Sequence, residues 1–250
     1  MTTSKEHEAS TAAQPLRGKV ALVTGASRGI GKATARAFAQ AGAAVALAAR
    51  DAAALAANVA GIQADGGAAL ACPCDVADEA SVRAVFARVA ETFGPVDILV
   101  NSAGAVAQAR FAEMETATWD HVLAVNLRGV FLCCREAFRQ MIPHGGGVII
   151  NLSSLSGIPD VEKFPGLSAY NVSKYGVSGL SEILAVEGRP YHIRVVAVSP
   201  GAVDTEMLRA AAPHLTPDMT PEELARILLF IAGPDARPLS GTNLHIYSNG

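Results

Sequence analysis

Residues 20–31 read Val20-Ala21-Leu22-Val23-Thr24-Gly25-Ala26-Ser27-Arg28-Gly29-Ile30-Gly31, and the fold turns on them. Val20–Val23 is apolar at every position, without the in–out alternation of a half-exposed strand, so it belongs in a sheet covered on both faces. A glycine-rich turn follows, and from Gly29 an Ala-rich helical pattern begins. Glycines permit a tight turn, and the unpaired N–H groups at a helix N-terminus hold anions such as a pyrophosphate. The spacing is Gly-x-x-x-Gly-x-Gly rather than the Gly-x-Gly-x-x-Gly of the common dinucleotide fingerprint. Alone, such a turn has a second reading, as geometry that merely needs left-handed glycines.

Outward from this turn, short apolar runs alternate with longer helical patterns. Strands are predicted at Val20–Val23, Ala44–Ala48, Ala68–Ala71, Ile98–Val100, Val148–Asn151, Val195–Val198 and Asn243–Ile246. Helices are predicted near 29–41, 51–64, 78–93, 116–141, 169–187 and 221–231. Alternation at this rhythm builds βαβ units, hence an α/β fold: a doubly wound, seven-stranded parallel sheet with helices on both faces. No repeat or linker interrupts it, and Gly145-Gly146-Gly147 reads as a helix-to-strand turn. A single domain is expected over residues 17–250, preceded by a flexible tail over residues 1–16, which are polar and charged. Ligands of such sheets bind outside the carboxyl ends of the strands, where the strand order reverses, so residues just after strands carry the functional information.

The 250 residues carry a formal net charge of −3 and are 50% hydrophobic and 17% charged, a globular composition long enough for a large core. The slightly acidic balance argues against nucleic-acid binding, which needs a basic face. No apolar run is long enough to span a bilayer and no basic amphipathic stretch suits a membrane surface, so no membrane partner is expected. Residues 1–16 contain no apolar signal-peptide core, and a cytoplasmic location is expected. Cys72, Cys74, Cys133 and Cys134 read as buried small apolar residues rather than disulfides. Cys72-Pro73-Cys74 has the wrong spacing for a zinc knuckle, and no metal site is expected.

Two arrangements carry chemistry. Tyr170 and Lys174 stand four residues apart in a helical segment, so they share one face and the ammonium can sit beside the phenol. A nearby cation favours phenolate and lowers a tyrosine pKa from about 10 toward the working range. The second arrangement concerns the cofactor. A protein using NAD typically has an acidic residue at the end of its second strand for the ribose hydroxyls. Here that strand ends Leu47-Ala48-Ala49-Arg50, with no carboxylate before Asp51. Arg50, with Arg28 in the loop, can pair with a 2′-phosphate, which favours NADP(H) over NAD(H). Two simply solvated arginines are the alternative, and Asp51 beside Arg50 argues the other way.

Thr24–Gly31 resembles the cofactor loop of the short-chain dehydrogenase/reductase family, in its compact single-domain branch with a Rossmann-like sheet. The resemblance continues in order through Asn101-Ser102-Ala103-Gly104, Asn126, Ser154, Tyr170-Asn171-Val172-Ser173-Lys174 and Pro200-Gly201. It implies an oxidoreductase moving a hydride between NADP(H) and a small-molecule carbonyl or secondary alcohol. Gly25, Ser27, Arg28, Gly29, Ile30 and Gly31 would form the cofactor loop. Asp75 and Val76 would contact adenine, and Asn101, Ala103 and Gly104 would line its ribose, with Ser102 where the family usually has a second Asn. After Pro200 and Gly201, Val203 and Thr205 would hold the nicotinamide carboxamide. Ser154 would bind the substrate oxygen, with Ser153 as rival, and Tyr170 would be the general acid and base. Lys174 would stabilise the phenolate and bond the nicotinamide ribose, while Asn126 would bend its helix and hold a water linked to the lysine.

Two stretches depart from the family pattern. Leu155–Ala169, between Ser154 and Tyr170, is a few residues longer than usual and lines the substrate cleft. The end, Leu244–Gly250, replaces the usual Asp-Gly-Gly ending of a strand that in the family often supports a tetramer interface. A homo-oligomer, tetramer or dimer, is expected. Residues Glu206–Pro217 are expected to form a mobile lid, with His214 read as solvated rather than turned inward. Two other functions stay open. A 3-oxoacyl-thioester reductase would need a basic patch near the cleft for an acidic carrier protein. A non-catalytic NADP-binding sensor would be marked by loss of Tyr170 or Lys174, and both are present.

Overall fold

The computed structural model describes residues 14–247. Seven strands stand in the order β3-β2-β1-β4-β5-β6-β7, each parallel to its neighbours. They are β1 Val20–Thr24, β2 Ala44–Ala49, β3 Ala69–Pro73, β4 Ile98–Asn101, β5 Gly147–Leu152, β6 Ile193–Pro200 and β7 Asn243–Ile246. The helices between them are α1 Gly29–Gln40, α2 Ala52–Ala64, α3 Glu79–Phe93, α4 Thr116–Leu123, α5 Gly129–His144, α6 Ser168–Gly188, α7 Glu206–Ala211 and α8 Pro221–Ala232. The doubly wound, single-domain α/β sheet expected from the strand runs is the observed fold.

β1 shows why its run is apolar throughout. Ala21 and Val23 face one layer, with Phe38 of α1 and Leu224, Leu228 and Ile231 of α8. Val20 and Leu22 face the other, with Phe86 and Val89 of α3 and Leu132 of α5. Both faces are dry, so alternation disappears. From β1 the chain moves outward to β2 and β3, and from β4 to β5, β6 and β7 on the opposite side. The strand order therefore reverses between β1 and β4, and a crevice opens at their carboxyl ends.

Three boundaries differ from expectation. The single helix predicted at 116–141 is broken by a π-helical turn, Ala124–Arg128, between α4 and α5. Such a turn inserts one residue into the helical ladder and is not visible in hydrophobic periodicity. α7 was not predicted, being one and a half turns of Ala-rich chain within the stretch read as lid. Leu16, assigned to the flexible tail, is buried in the core and its N–H donates to the Ala41 carbonyl at 3.0 Å, so packing begins by that residue. The rest of the predicted tail up to residue 13 lies outside the described residues. Among the described residues no helix is long and apolar enough to cross a membrane. All four cysteines are buried free thiols, and burial pushes Cys72 up to about 11 and Cys134 up to about 12. That removes thiolate chemistry near neutrality.

Candidate active site

The crevice is built from backbone. Thr24, last residue of β1, accepts hydrogen bonds at Oγ1 from the N–H groups of Ser102 and Ala103, both at 3.1 Å, which ties the end of β1 to the chain leaving β4. Gly25 (φ +68°) lies flat against that chain: a Cβ there would be 2.7 Å from Ala103 N, a backbone atom with nowhere to go. Gly31 brings α1 equally close, since its Cβ would be 2.4 Å from the Gly25 carbonyl oxygen. The loop is thus compressed between two strands and a helix, and the glycines are required by contact.

α1 is the helix of interest because of how it begins. α2, α3, α7 and α8 are capped by Asp51, Asp78, Thr205 and Thr220 respectively, whereas Arg28 at the head of α1 makes no side-chain cap. No acidic residue occupies its first turn either. The first N–H groups of a helix lack internal partners, and here Gly29, Ile30 and Gly31 line a cleft of about 540 Å³. An uncapped helix end with a glycine approach on its open side fits a pyrophosphate.

Asn58 of α2 was not singled out from the sequence. Its Nδ2 donates to the carbonyls of Ala26 (3.1 Å) and Ser27 (2.9 Å), turning these acceptors away from the cleft and fixing the loop. A polar residue in the middle of an Ala-rich, largely apolar helix, AAALAANVAGIQA, was the available signal.

Most predicted cofactor positions converge on this cleft: Gly25, Ser27, Arg28, Gly29, Ile30, Gly31, Arg50, Asp75, Val76, Ala103, Gly104 and Thr205 line it. Asp51 lines the cleft too, with one carboxylate oxygen accepting the Ala54 N–H at 2.9 Å as the cap of α2. Arg50 is exposed and makes no hydrogen bond or ion pair among the described residues. Arg28 instead pairs with Glu206 Oε2 at 2.8 Å. Asp75 accepts the Ala77 N–H at 3.0 Å while its own N–H donates to Ser81 Oγ at 3.1 Å, so a short turn presents it. Asn101 is placed beneath the cleft, not in its wall. Its Nδ2 donates to Asn151 Oδ1 at 2.8 Å, and Asn151 donates to Ser181 Oγ at 2.9 Å, forming a buried cross-link from β4 through β5 to α6. Pairing with a buried amide explains why its side chain turns inward. Pro200 ends β6, Gly201 N–H donates to Ile246 O at 2.9 Å, and Val203 is buried in the core.

Ser154, Tyr170 and Lys174 come together at the carboxyl end of β5. The Ser154 hydroxyl lies beside the Tyr170 phenol, where it favours the ionised form. The Lys174 ammonium, buried with its residue, donates to the Leu152 carbonyl at 2.9 Å and stands 5.5 Å from the centre of the Tyr170 ring. Ser153 faces the other way: its hydroxyl donates to the Lys174 carbonyl at 2.9 Å and sits 3.0 Å from Ser178 Oγ. The π-turn bends the chain at Asn126, as a mid-helix Asn suggested. Its side-chain amide is engaged by neighbouring segments. Both Nδ2 hydrogens are taken, by Ala105 O (2.8 Å) and Ser173 Oγ (3.0 Å), while Oδ1 accepts the Ala105 N–H at 2.7 Å. Asn126 therefore clamps the loop after β4 to α6.

Electrostatics correct one expectation. Desolvation pushes the Tyr170 phenol above its ordinary value, and the Ser154 hydroxyl offsets this only in part. Desolvation also drives Lys174 down to about 8. Loss of the phenol's own solvation sets the direction of its shift.

The longer spacer is pinned rather than loose. Lys163 donates to the carbonyls of Leu155 (3.2 Å) and Ile158 (2.5 Å), and its ammonium lies 5.4 Å over the Tyr175 ring. Ala109 N–H reaches Gly166 O at 3.1 Å, and Phe164 meets His214 edge-on with centroids 6.2 Å apart. His214 is exposed, as read, yet it joins lid to spacer.

The short-chain dehydrogenase family profile matches residues 19–216. The chain is 41% identical over 245 residues to a D-threitol dehydrogenase of Mycolicibacterium smegmatis, covering 92% of each chain. A solved short-chain type dehydrogenase/reductase from Mycobacterium marinum superposes with a TM-score of 0.89 at 36% identity, over 94% of this chain and 96% of that one. A 7α-hydroxysteroid dehydrogenase, solved with NADH and 7-oxo glycochenodeoxycholic acid, gives 0.88 at 32% identity over 95% and 96%. The chain belongs to the short-chain dehydrogenase/reductase family of nicotinamide-dependent oxidoreductases.

Proposed function

We propose that the protein transfers a hydride between NADP(H) and a small-molecule carbonyl or secondary alcohol, with Tyr170 as the proton donor and acceptor. The observation that carries this reading is the buried Lys174 ammonium held by Leu152 O 5.5 Å from the centre of the Tyr170 ring, with Ser154 beside the phenol. The bound nicotinamide supplies or accepts the hydride. The uncapped start of α1 would hold its pyrophosphate, Arg50 and Arg28 the 2′-phosphate, and Lys174 the nicotinamide ribose. In reduction, Ser154 and Tyr170 each donate a hydrogen bond to the carbonyl oxygen, orienting and polarising it. Tyr170 then gives up its phenolic proton to that oxygen, and Lys174 stabilises the phenolate left behind. Oxidation runs the same transfers in reverse.

Three features support NADP(H). Asp51, the sole nearby carboxylate after β2, is occupied as a helix cap. Ala49 closes β2 without an acceptor for ribose hydroxyls, and Arg50 stands unpaired on the cleft wall. A polyol alcohol is the first substrate class to test, given the D-threitol dehydrogenase relative. The test follows oxidation of NADPH and NADH against hydroxyketones, cyclic ketones and acetoacetyl thioesters, and reduction of NADP and NAD by D-threitol. Tyr170→Phe should lose at least about 10²-fold in kcat. Full activity in that variant would overturn the proton assignment, and tighter binding of NADH than NADPH would overturn the arginine argument.

We also infer a homo-oligomer built on the outer face of α6. Val172, Tyr175, Ile183 and Val186 stand exposed there at helical spacing, and Gly176 between them receives Leu127, which lines a groove with Phe131. An exposed apolar stripe of this kind, edged by Glu182, can pair with its own copy about a two-fold axis.

A further inference from the structure

Arg28 and Glu206 lie 178 residues apart in sequence and meet across the mouth of the cofactor cleft at 2.8 Å. Arg28 heads α1 in the phosphate loop, and Glu206 is the first residue of α7, where the lid begins. The adjacent Thr205 caps α7 by accepting the Leu208 N–H at 3.2 Å, and its methyl comes close enough to Gly29 that a Cβ there would be 3.3 Å away. The lid therefore touches the phosphate loop through two consecutive residues, one by packing and one by charge. The carboxylate of Asp204, just before them, is already paired with Arg209. Glu206 is thus the acid that holds the loop's arginine, while Arg50 across the same cleft has no partner among the described residues.

A guanidinium bound to a carboxylate has fewer donors free for a phosphate, and a dianionic phosphate placed beside that carboxylate is repelled. A cofactor without the 2′-phosphate makes neither demand. We propose that Glu206 is a cofactor-specificity residue. By occupying Arg28 it weakens binding of the 2′-phosphorylated cofactor relative to the unphosphorylated one. By the same ion pair it anchors α7 to the phosphate loop, so capture of Arg28 by a 2′-phosphate loosens the lid's first turn. The inference rests on Arg28 being a phosphate partner, as read above.

Dissociation constants for NADPH and NADH, from fluorescence titration, test it on the wild type, Glu206→Gln, Arg28→Gln and the double variant. Both side chains are exposed, so all four proteins should fold. Glu206→Gln should tighten NADPH about two- to fivefold, the range an exposed ion pair supplies, with NADH unchanged within about twofold. In the Arg28→Gln background the same substitution should have no effect beyond about twofold. In the ligand-free protein, Glu206→Gln should speed amide hydrogen exchange across residues 206–211. If Arg28→Gln weakens NADPH but Glu206→Gln leaves both cofactors alone, or shifts them equally, the Glu206 assignment fails and the NADP(H) reading stands. If Arg28→Gln changes neither constant, the phosphate role of Arg28 fails and takes this inference with it. Unchanged exchange at 206–211 would refute the anchoring of α7.

Discussion

Gly157→Ala places the catalytic geometry under direct strain without replacing a catalytic residue. Gly157 closes the short turn that follows Ser154, and a Cβ on it would lie 2.5 Å from the Lys174 carbonyl carbon and 2.7 Å from Lys174 Cβ and O. Those atoms belong to the interior of α6 and cannot yield, so the turn must retreat by about 0.9 Å to reach an ordinary contact of about 3.4 Å. The retreat passes straight to Ser154. The Gly157 N–H donates to Ser154 O at 2.8 Å, and Ser154 Oγ accepts the Ser156 N–H at 3.1 Å. A misplacement of about 1 Å in a positioning group costs about 10²-fold in rate. Overpacking of this kind costs about 1–3 kcal/mol, a lowering of Tm by about 2–12 °C in a domain of this size. The variant should therefore unfold earlier, lose about 10²-fold in kcat/KM, and bind cofactor within about twofold of wild type, because the phosphate loop lies across the sheet from the turn. Wild-type kcat/KM in the folded variant would show that Ser154 is not held by this contact.

Other substitutions and conditions separate the remaining parts of the site. Lys174 has a folded-state pKa below its free value, so its charge is a cost fully present below pH 8 and relieved between about 8 and 10.5. Lys174→Met at pH 7 should accordingly raise Tm by several degrees while cutting kcat at least about 10²-fold; a lower Tm would mean that the bond to Leu152 O outweighs desolvation. For the wild type in reduction, kcat/KM should be level below pH 8 and fall about tenfold per pH unit above it as Lys174 loses its proton, Tyr170 remaining a phenol; a fall beginning below pH 7 would contradict this. Asn58→Ala should weaken cofactor binding about 5- to 50-fold by freeing the Ala26 and Ser27 carbonyls to face the phosphates, with a stability loss of about 1–2 kcal/mol; equal cofactor affinity in a calorimetric titration would remove Asn58 from the site. Ile183→Glu with Val186→Glu should convert the oligomer to monomer in light scattering, and an unchanged mass would move the interface elsewhere.

What the sequence disclosed and what it hid divide along a physical line. In a parallel sheet the functional loops follow strands, and strands buried on both faces are conspicuous apolar runs, so Thr24–Gly31, Ser102–Gly104 and Ser154 could be placed by counting outward from them. The Tyr170–Lys174 pair was equally legible, because helical spacing alone puts the two residues on one face. Residues whose meaning comes from a distant partner were not. Asn101 carries the right name for a cleft residue, but the buried amide of Asn151 on the next strand claims its side chain. Asn58, Gly157 and Glu206 resemble ordinary surface or turn residues until α2, α6 and α7 are packed against the elements they serve. At Asn126 the bend was expected but its hydrogen-bond partners were not, since Ala105 and Ser173 come from a loop and a helix elsewhere in the chain.

The burial at the carboxyl end of β5 bears on the direction of the proposed chemistry. One cause, the removal of water, raises Tyr170 and lowers Lys174 together, so their free order inverts and the lysine becomes the more acidic of the two. Near neutrality the pair then consists of a phenol that holds its proton and an ammonium close to releasing one. That is the protonation state from which a carbonyl is reduced, since the acid is loaded and the cation needed by the nascent phenolate is in place. The reverse reaction must first take the proton from Tyr170, against desolvation, with Ser154 and the Lys174 ammonium in favour. Any substitution that lets water reach this end of the cleft should thus bring the phenol down and shift the pH profile of oxidation to lower pH. The pinned spacer is where that control sits: Lys163 ties it to the carbonyls of Leu155 and Ile158, next to Ser154, and Phe164 carries it across to the lid.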